Sequence, residues 1–238
     1  MKRRLLLLSN GSELIGQNPS QFAHGVLKDF LSQSVKRVIF VPFATVMYSE
    51  DEYLASVRRH FIPLGYEVES LHAVLDAKDA VENTDAIAVG GGNTFCLLRA
   101  LYRLDVVEVI RERVRSGMPY VGWSAGSNVA CPTIRTTNDM PIVEPPTLNA
   151  LGLVPFQINP HYTDASIAGH MGETRDERLI EFTHANPGVR VIGLREGTML
   201  RVEGNEIRLL GGKPARIFMK DENPRDVAPE ASFSFLLS

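Results

Sequence analysis

The run MPYVGWSAGSNVA at residues 118–130 constrains this chain more than any other stretch. Residues 119–121 read as a short buried strand, Gly122-Trp123-Ser124-Ala125-Gly126 gives G-x-S-x-G, and residues 127–130 open a helix. This is the pattern of a nucleophile elbow, in which a serine is lifted on a tight, strained turn between a strand and a helix. The two backbones pass close together there, so small residues are needed two positions either side of the serine, and Gly122 and Gly126 supply them. The same turn aims the helix start at Ser124, which puts the N–H of Ala125 where it can stabilise an oxyanion. An ordinary strand-to-helix junction in a glycine-rich protein could carry the same letters, so the rest of the chain has to decide.

With 238 residues, 44% of them apolar and 22% charged, the chain can bury a full core, and a single domain over residues 1–238 is expected. A formal net charge of -3 provides no basic footprint, so neither nucleic acid nor an anionic membrane surface is an expected partner, and a small-molecule or peptide substrate fits better. The two cysteines, Cys96 and Cys131, form neither a C-x-x-C nor a zinc pattern, which suits a reducing cytoplasm. Lys2-Arg3-Arg4 before Leu5 to Leu8 imitates a signal peptide, but the apolar run is too short and no cleavage-site pattern follows; it reads as a first strand. No later apolar run approaches the roughly 18 residues of a membrane span.

Taken in order, residues 4–9 and 35–43 read as buried strands around a helix at 19–34, where Phe22, Val26, Phe30 and Leu31 recur at helical spacing. A surface helix at 49–61, a strand at 65–71, a short helix at 76–83, a strand at 86–89 and one broken or two short helices at 94–115 lead to the strand that carries the elbow. This alternation predicts an α/β fold with a doubly wound, mostly parallel sheet and flanking helices, whose active site gathers at the carboxyl ends of the strands. Residues 131–151, with four prolines and no periodicity, read as a long irregular loop over the surface near the elbow. Beyond it come strands at 154–158 and 189–194 around a helix at 173–184, a C-terminal β-hairpin at 198–202 and 206–210, and a last strand at 215–219. The polar tail ends in residues 233–237, which should dock on the body.

A serine hydroxyl needs a base within hydrogen-bond reach, itself oriented by a third group. His24, His60, His72 and His184 lie in or beside helices or at a strand end, where structural roles fit better. His161, after the 154–158 strand and Asn159-Pro160, should stand on the same rim as Ser124, with His170 in reserve. For the orienting carboxylate Glu196 is preferred, because it closes the 189–194 strand. Asp139 or Glu144 would restore the acid-before-histidine order of α/β-hydrolases, but both sit in the irregular loop. The turn Gly90-Gly91-Gly92-Asn93-Thr94 opens a helix after the fourth strand, and the Gly91 and Gly92 N–H groups are candidates for the second half of an oxyanion hole. Phosphate cradling is the rival reading, although neither G-x-x-x-x-G-K-[ST] nor G-x-G-x-x-G is matched. A metal site from His161, His170 and Glu173 ranks lower, since the spacing fits no familiar ligand motif, and no cofactor is expected.

Five blocks, GGGNTF (90–95), GWSAGS (122–127), CPTIRTTNDMPIV (131–143), INPHY (158–162) and GETRDERL (172–179), closely resemble the peptidase E family of α-aspartyl dipeptidases, and the likeness extends from the first strand to the hairpin near Leu210. The resemblance implies a serine peptidase on a fold related to class I glutamine amidotransferases and cyanophycinases, removing an N-terminal aspartate from Asp-X dipeptides and some short peptides. It places the family's Ser/His/Glu triad on Ser124, His161 and Glu196. It also places the aspartate-reading arginine on Arg175, and a fixed bidentate cation is what recognition of a side-chain carboxylate requires. Arg135 is the reserve cation, and Asn93 and Thr94 could bond the same carboxylate. For the free amine only Glu173 and Asp139 come into question. Two other readings stay open: a cyanophycin-type β-aspartyl peptidase or esterase on the same triad, and a non-catalytic small-molecule binding protein of the same fold. A monomer or loose homodimer in the cytoplasm completes the expectation.

Overall fold

In the computed structural model, which describes residues 3–17, 19–165 and 171–237, the first strand β1 (Arg4–Leu8) is buried along Leu5 to Leu8, as a central strand covered on both faces must be. A single turn α1 (Ser12–Ile15), which the sequence did not announce, precedes α2 (Gln21–Leu31) and β2 (Arg37–Val41). Helix α3 (Glu50–Phe61) starts where Ser49 and Glu52 close a reciprocal capping box, and it turns Tyr53, Leu54, Val57 and Phe61 inward. Strand β3 (Glu67–Ser70) alternates exposed and buried residues, as an edge strand does. There follow α4 (Ala77–Glu82), capped by Asp76, the fully buried β4 (Ala86–Val89), and two helices, α5 (Thr94–Arg103) and α6 (Val107–Arg115). Strand β5 (Tyr120–Trp123) runs into α7 (Ala125–Val129). The second half supplies β6 (Gln157–Tyr162), α8 (Arg175–Ala185), β7 (Val191–Arg195), β8 (Met199–Glu203), β9 (Glu206–Leu210), β10 (Ala215–Phe218) and β11 (Arg225–Val227).

The main sheet has the order β3-β2-β4-β5-β1-β8-β9, parallel from β3 to β1 and antiparallel through the β8–β9 hairpin. Side chains alternate across it. Leu5, Leu7, Ile39, Ile87, Val89 and Tyr120 pack with α4 to α7 on one face, while Leu6, Leu8, Phe40, Ala88, Val121 and Trp123 pack with α2 and α3 on the other. The doubly wound, mostly parallel sheet with flanking helices and a C-terminal hairpin is therefore as the sequence predicts.

A second sheet, β11-β10-β7-β6, is what the sequence reading lacked. The hairpin β8–β9 occupies the remaining edge of β1, so β6 and β7 cannot extend the main sheet and pair in parallel with each other instead. Ile158, Ile192, Leu194 and Ile217 join the larger core, while Tyr162, Val191 and Phe218 pack with Leu179 of α8. Boundaries move accordingly. Residues 154–156 precede rather than begin β6, which runs on to include His161, and β10 is followed by β11 rather than being last. The 131–151 segment is irregular, with one bridge between Thr133 and Asn149, but Ile134, Ala150 and Leu151 enter the core instead of riding over the surface. Phe233 and Leu236 dock in the same core. No helix among the described residues is long and apolar enough to cross a membrane.

Candidate active site

Ser124 occupies a strained turn, with φ 52° and ψ -112°, between β5 and α7. The neighbouring glycines are required by contact distances. A Cβ on Gly122 would sit 2.6 Å from the Gly126 carbonyl oxygen, and one on Gly126 would sit 2.2 Å from that of Val89. The Ser124 N–H donates to the Leu8 carbonyl at 3.1 Å, which ties the elbow to the end of β1.

His161 reaches the elbow from the second sheet. Pairing with β7 passes from Asn159↔Gly193 to Tyr162↔Arg195, so β6 carries one extra residue in a bulge, and His161 adopts φ 53° within it. That bulge turns the imidazole toward Ser124. Its Nε2 lies 2.8 Å from Ser124 Oγ, and its Nδ1 lies 3.0 Å from Glu196 Oε1. Glu196 follows the last residue of β7, and the hydrogen bond from His161 holds its carboxyl below the ordinary range against the opposing effect of burial, with the Asn10 side chain and Lys213 acting in the same sense as His161. The structure thus brings Ser124, His161 and Glu196 into one relay.

The oxyanion candidates divide. Gly91 is tightly enclosed, since a Cβ there would meet Ser124 Cβ at 3.0 Å, but its N–H is already donated to the Tyr53 hydroxyl at 2.8 Å. That hydroxyl also accepts from Trp123 Nε1 at 2.8 Å. Gly92 has φ 134° and leaves no room for a side chain against the Ala44 carbonyl. Among the described residues neither the Gly92 N–H nor the Ala125 N–H has a partner, so these two donors remain available.

Asn93 and Thr94 are engaged elsewhere. Asn93 Oδ1 caps α5 by accepting from the Phe95 and Cys96 N–H groups, and its Nδ2 donates to the Met140 carbonyl at 2.9 Å. Thr94 is fully buried, and both its N–H and its hydroxyl donate to Asp139 Oδ2, at 2.7 and 2.5 Å. The returning 131–151 segment takes up the polar groups that a substrate carboxylate would have needed, a correction to the sequence expectation. It also removes Asp139 from competition for the histidine, while Glu144 lines a separate groove with Phe95 and Pro145.

A cavity of about 1050 Å³ opens over Ser124, bounded by His161, Glu196, Gly92, Tyr48 and one face of α3. Glu52, Ser56 and Arg59, spaced i, i+4 and i+7, form that face and were missed by reasoning on the sequence, although the spacing was there to read. Arg175 heads α8, does not line this cavity, and makes no hydrogen bond or ion pair with a described residue; burial, then the nearby Arg178, lowers its guanidinium pKa. Arg135 is exposed, and Glu173 pairs with Arg178 at 3.6 Å. His170 lies outside the described residues, among which no group of three His, Cys, Asp or Glu could hold a metal ion.

A serine, a histidine and a carboxylate in hydrogen-bond sequence, at strand ends and beside two free N–H donors, have the layout of a serine hydrolase. The sequence matches the model of peptidase family S51 over residues 5–210, and the chain belongs to that family. It is 48% identical to peptidase E of Nostoc sp. over 237 residues, covering 100% of this chain and 98% of that protein. A Drosophila melanogaster protein described as a "probable alpha-aspartyl dipeptidase" is 50% identical over 238 residues, covering 99% of this chain and 98% of its own. The fold is shared with the crystal structure of a peptidase from an acI-B1 actinobacterium, with a TM-score of 0.72 at 20% identity over 99% of this chain and 98% of that one.

Proposed function

We propose that this chain is a serine-type dipeptidase that hydrolyses the bond after an N-terminal aspartate in Asp-X dipeptides and some short peptides. The observation that carries the reading is the continuous relay Ser124–His161–Glu196, at 2.8 and 3.0 Å, in a chain about half identical to relatives named for this activity. Ser124 Oγ attacks the scissile carbonyl while His161 Nε2 takes its proton. Glu196 accepts the Nδ1–H and stabilises the imidazolium, and the Gly92 and Ala125 N–H groups receive the oxyanion. His161 then protonates the departing amine, and water releases aspartate from the acyl-enzyme by the same steps in reverse order.

Specificity in this reading rests on Arg175 meeting the aspartyl side chain. Arg59 is a second candidate, favoured by its place on the cavity wall. Turnover of Asp-Leu, isoAsp-Leu, Asn-Leu, Glu-Leu and a p-nitrophenyl ester by the parent chain, Arg175→Met and Arg59→Met tests the assignment. Asp-Leu should lead, and the responsible variant should lose about a hundredfold or more on Asp-Leu while keeping the ester reaction, because an unpaired charge remains when the cation is removed. Preference for isoAsp-Leu would favour the β-aspartyl alternative, and equal loss on both substrates would make the arginine structural. The proposed setting is a cytoplasmic monomer or loose homodimer of single-domain chains, in keeping with Cys96 and Cys131 both being free thiols.

A further inference from the structure

The residue immediately after β1 does something that no reading of the elbow anticipates. Ser9 is fully buried, and its hydroxyl sits in the gap that the β6 bulge opens in the β6–β7 ladder. Its Oγ accepts from the His161 N–H at 2.9 Å and donates to the Leu194 carbonyl at 2.8 Å. Its own N–H donates to the Thr198 carbonyl at 3.0 Å, which ties the far end of the Arg195–Thr198 turn, the turn that carries Glu196, to the end of β1. Pro160, beside His161, has no N–H to offer the ladder. A bulge leaves backbone groups without their regular partners, and buried ones must find others.

We propose that Ser9 is a positioning residue for the proposed dipeptidase reaction, holding His161 in its left-handed conformation and fixing the distance between His161 and Glu196. A non-glycine residue at φ 53° persists only where its surroundings over-determine it, and the His161 N–H bond to Ser9 is the contact that does so from the main sheet. The geometry joins both halves of the site. Leu8, one residue earlier, accepts the Ser124 N–H, so the last residue of one leucine-rich strand and the residue that follows it tie down the nucleophile, the base and the turn of the acid together. Removing the Ser9 hydroxyl leaves the imidazole free to drift on its bulge without touching the substrate cavity, which Ser9 does not line.

This inference rests on the triad reading above, so its test carries a control for that reading. Asp-Leu kinetics would be compared among the full chain, Ser9→Ala, Ser9→Cys, Ser124→Ala and Ser70→Ala. Ser70 is an equally buried hydroxyl that donates to the Phe40 carbonyl at 3.3 Å, away from the site, and serves as the control for mere loss of a buried hydrogen bond. The expected result is a kcat about tenfold to a hundredfold lower in Ser9→Ala with KM changed less than about twofold, since misplacement near 1 Å costs rates of that order. Modification of Ser124 by a fluorophosphonate should slow in parallel. Ser9→Cys, which keeps a weak donor and acceptor at the same place, should recover part of the loss and remains informative if the alanine variant folds poorly. A kcat within twofold of the parent in both Ser9 variants, or an equal loss in Ser70→Ala, overturns the Ser9 role alone. Turnover that survives Ser124→Ala overturns the triad reading and this inference with it.

Discussion

Ser124 follows a strand of a sheet covered by helices on both faces, whereas His161 stands on, and Glu196 just beyond, the strands of a smaller sheet whose outer margin is held by partly exposed charges. On the first side, position is set by hard contact: Gly122 against Gly126, Gly126 against the Val89 carbonyl, Gly91 against Ser124 Cβ. On the second it is set by polar tethers. Arg195 stacks over the Tyr162 ring at 5.2 Å and pairs with Asp164 and Asp226, and Arg216 bridges Asp226 to Asp176 at the start of α8. In the proposed mechanism the nucleophile and its oxyanion donors need a rigid backbone, which close packing supplies. The proposed base must take and return a proton at the rim of an open cavity, where side-chain hydrogen bonds, that to the proposed orienting carboxylate among them, suffice to hold it.

Breaking the relay tests the comparison most severely. Ser124→Ala and His161→Ala should each lower kcat for Asp-Leu by about 10⁴- to 10⁶-fold, the range seen when either leading member of a triad is removed. Folding should be preserved, so thermal melting close to that of the parent accompanies the loss. A residual rate near that of the parent would mean that the contact at 2.8 Å between the two is not the reacting pair.

The acid should matter less than the nucleophile. Glu196→Gln is expected to reduce kcat by about 10²- to 10⁴-fold with little change in KM, since the carboxylate orients the imidazole and does not meet the substrate. Its carboxyl pKa lies below the ordinary 4.5, first because His161 donates to it, so the group is already charged above that value and loses its charge only as pH falls further. Kinetics at a pH well above 4.5 therefore read the parent with this carboxylate charged, and a Glu196→Gln kcat within about twofold of the parent there would remove the orienting role.

A sharper contrast comes from Tyr53, on the packed side. Tyr53→Phe strands the Gly91 and Trp123 donors in a dry environment at a cost of about 1–3 kcal/mol each. Chemical denaturation should register that loss, while kcat falls by less than about tenfold because the Gly92 and Ala125 donors are untouched. The smallest effect belongs to the tethered side. Asp226→Asn removes one partner of both Arg195 and Arg216 and should lower stability by less than about 1 kcal/mol, with the difference shrinking in high salt. If Asp226→Asn destabilises more than Tyr53→Phe, the distinction between a packed and a tethered half fails.

Much of this was legible in the sequence because it is local. The strand-turn-helix letters around Ser124 require their glycines within four residues, and the Ser49/Glu52 and Thr174/Glu177 pairs announce their helices within a single turn. The alternation of strand and helix through residue 130 implies the parallel sheet, and strand ends pointed to His161 and Glu196 as neighbours of the serine. What tertiary structure alone decided is the allocation of partners over long separations. Which edge of β1 the hairpin takes excludes β6 and β7 from the main sheet, and that choice depends on the competition among all strands rather than on any one segment. A hydroxyl 38 residues away claims the Gly91 N–H, and Asp139, 45 residues on, claims Thr94, so two residues with the right chemistry for a substrate are already satisfied. A buried donor pairs with whatever acceptor the fold delivers to it, and only the folded chain specifies which one arrives.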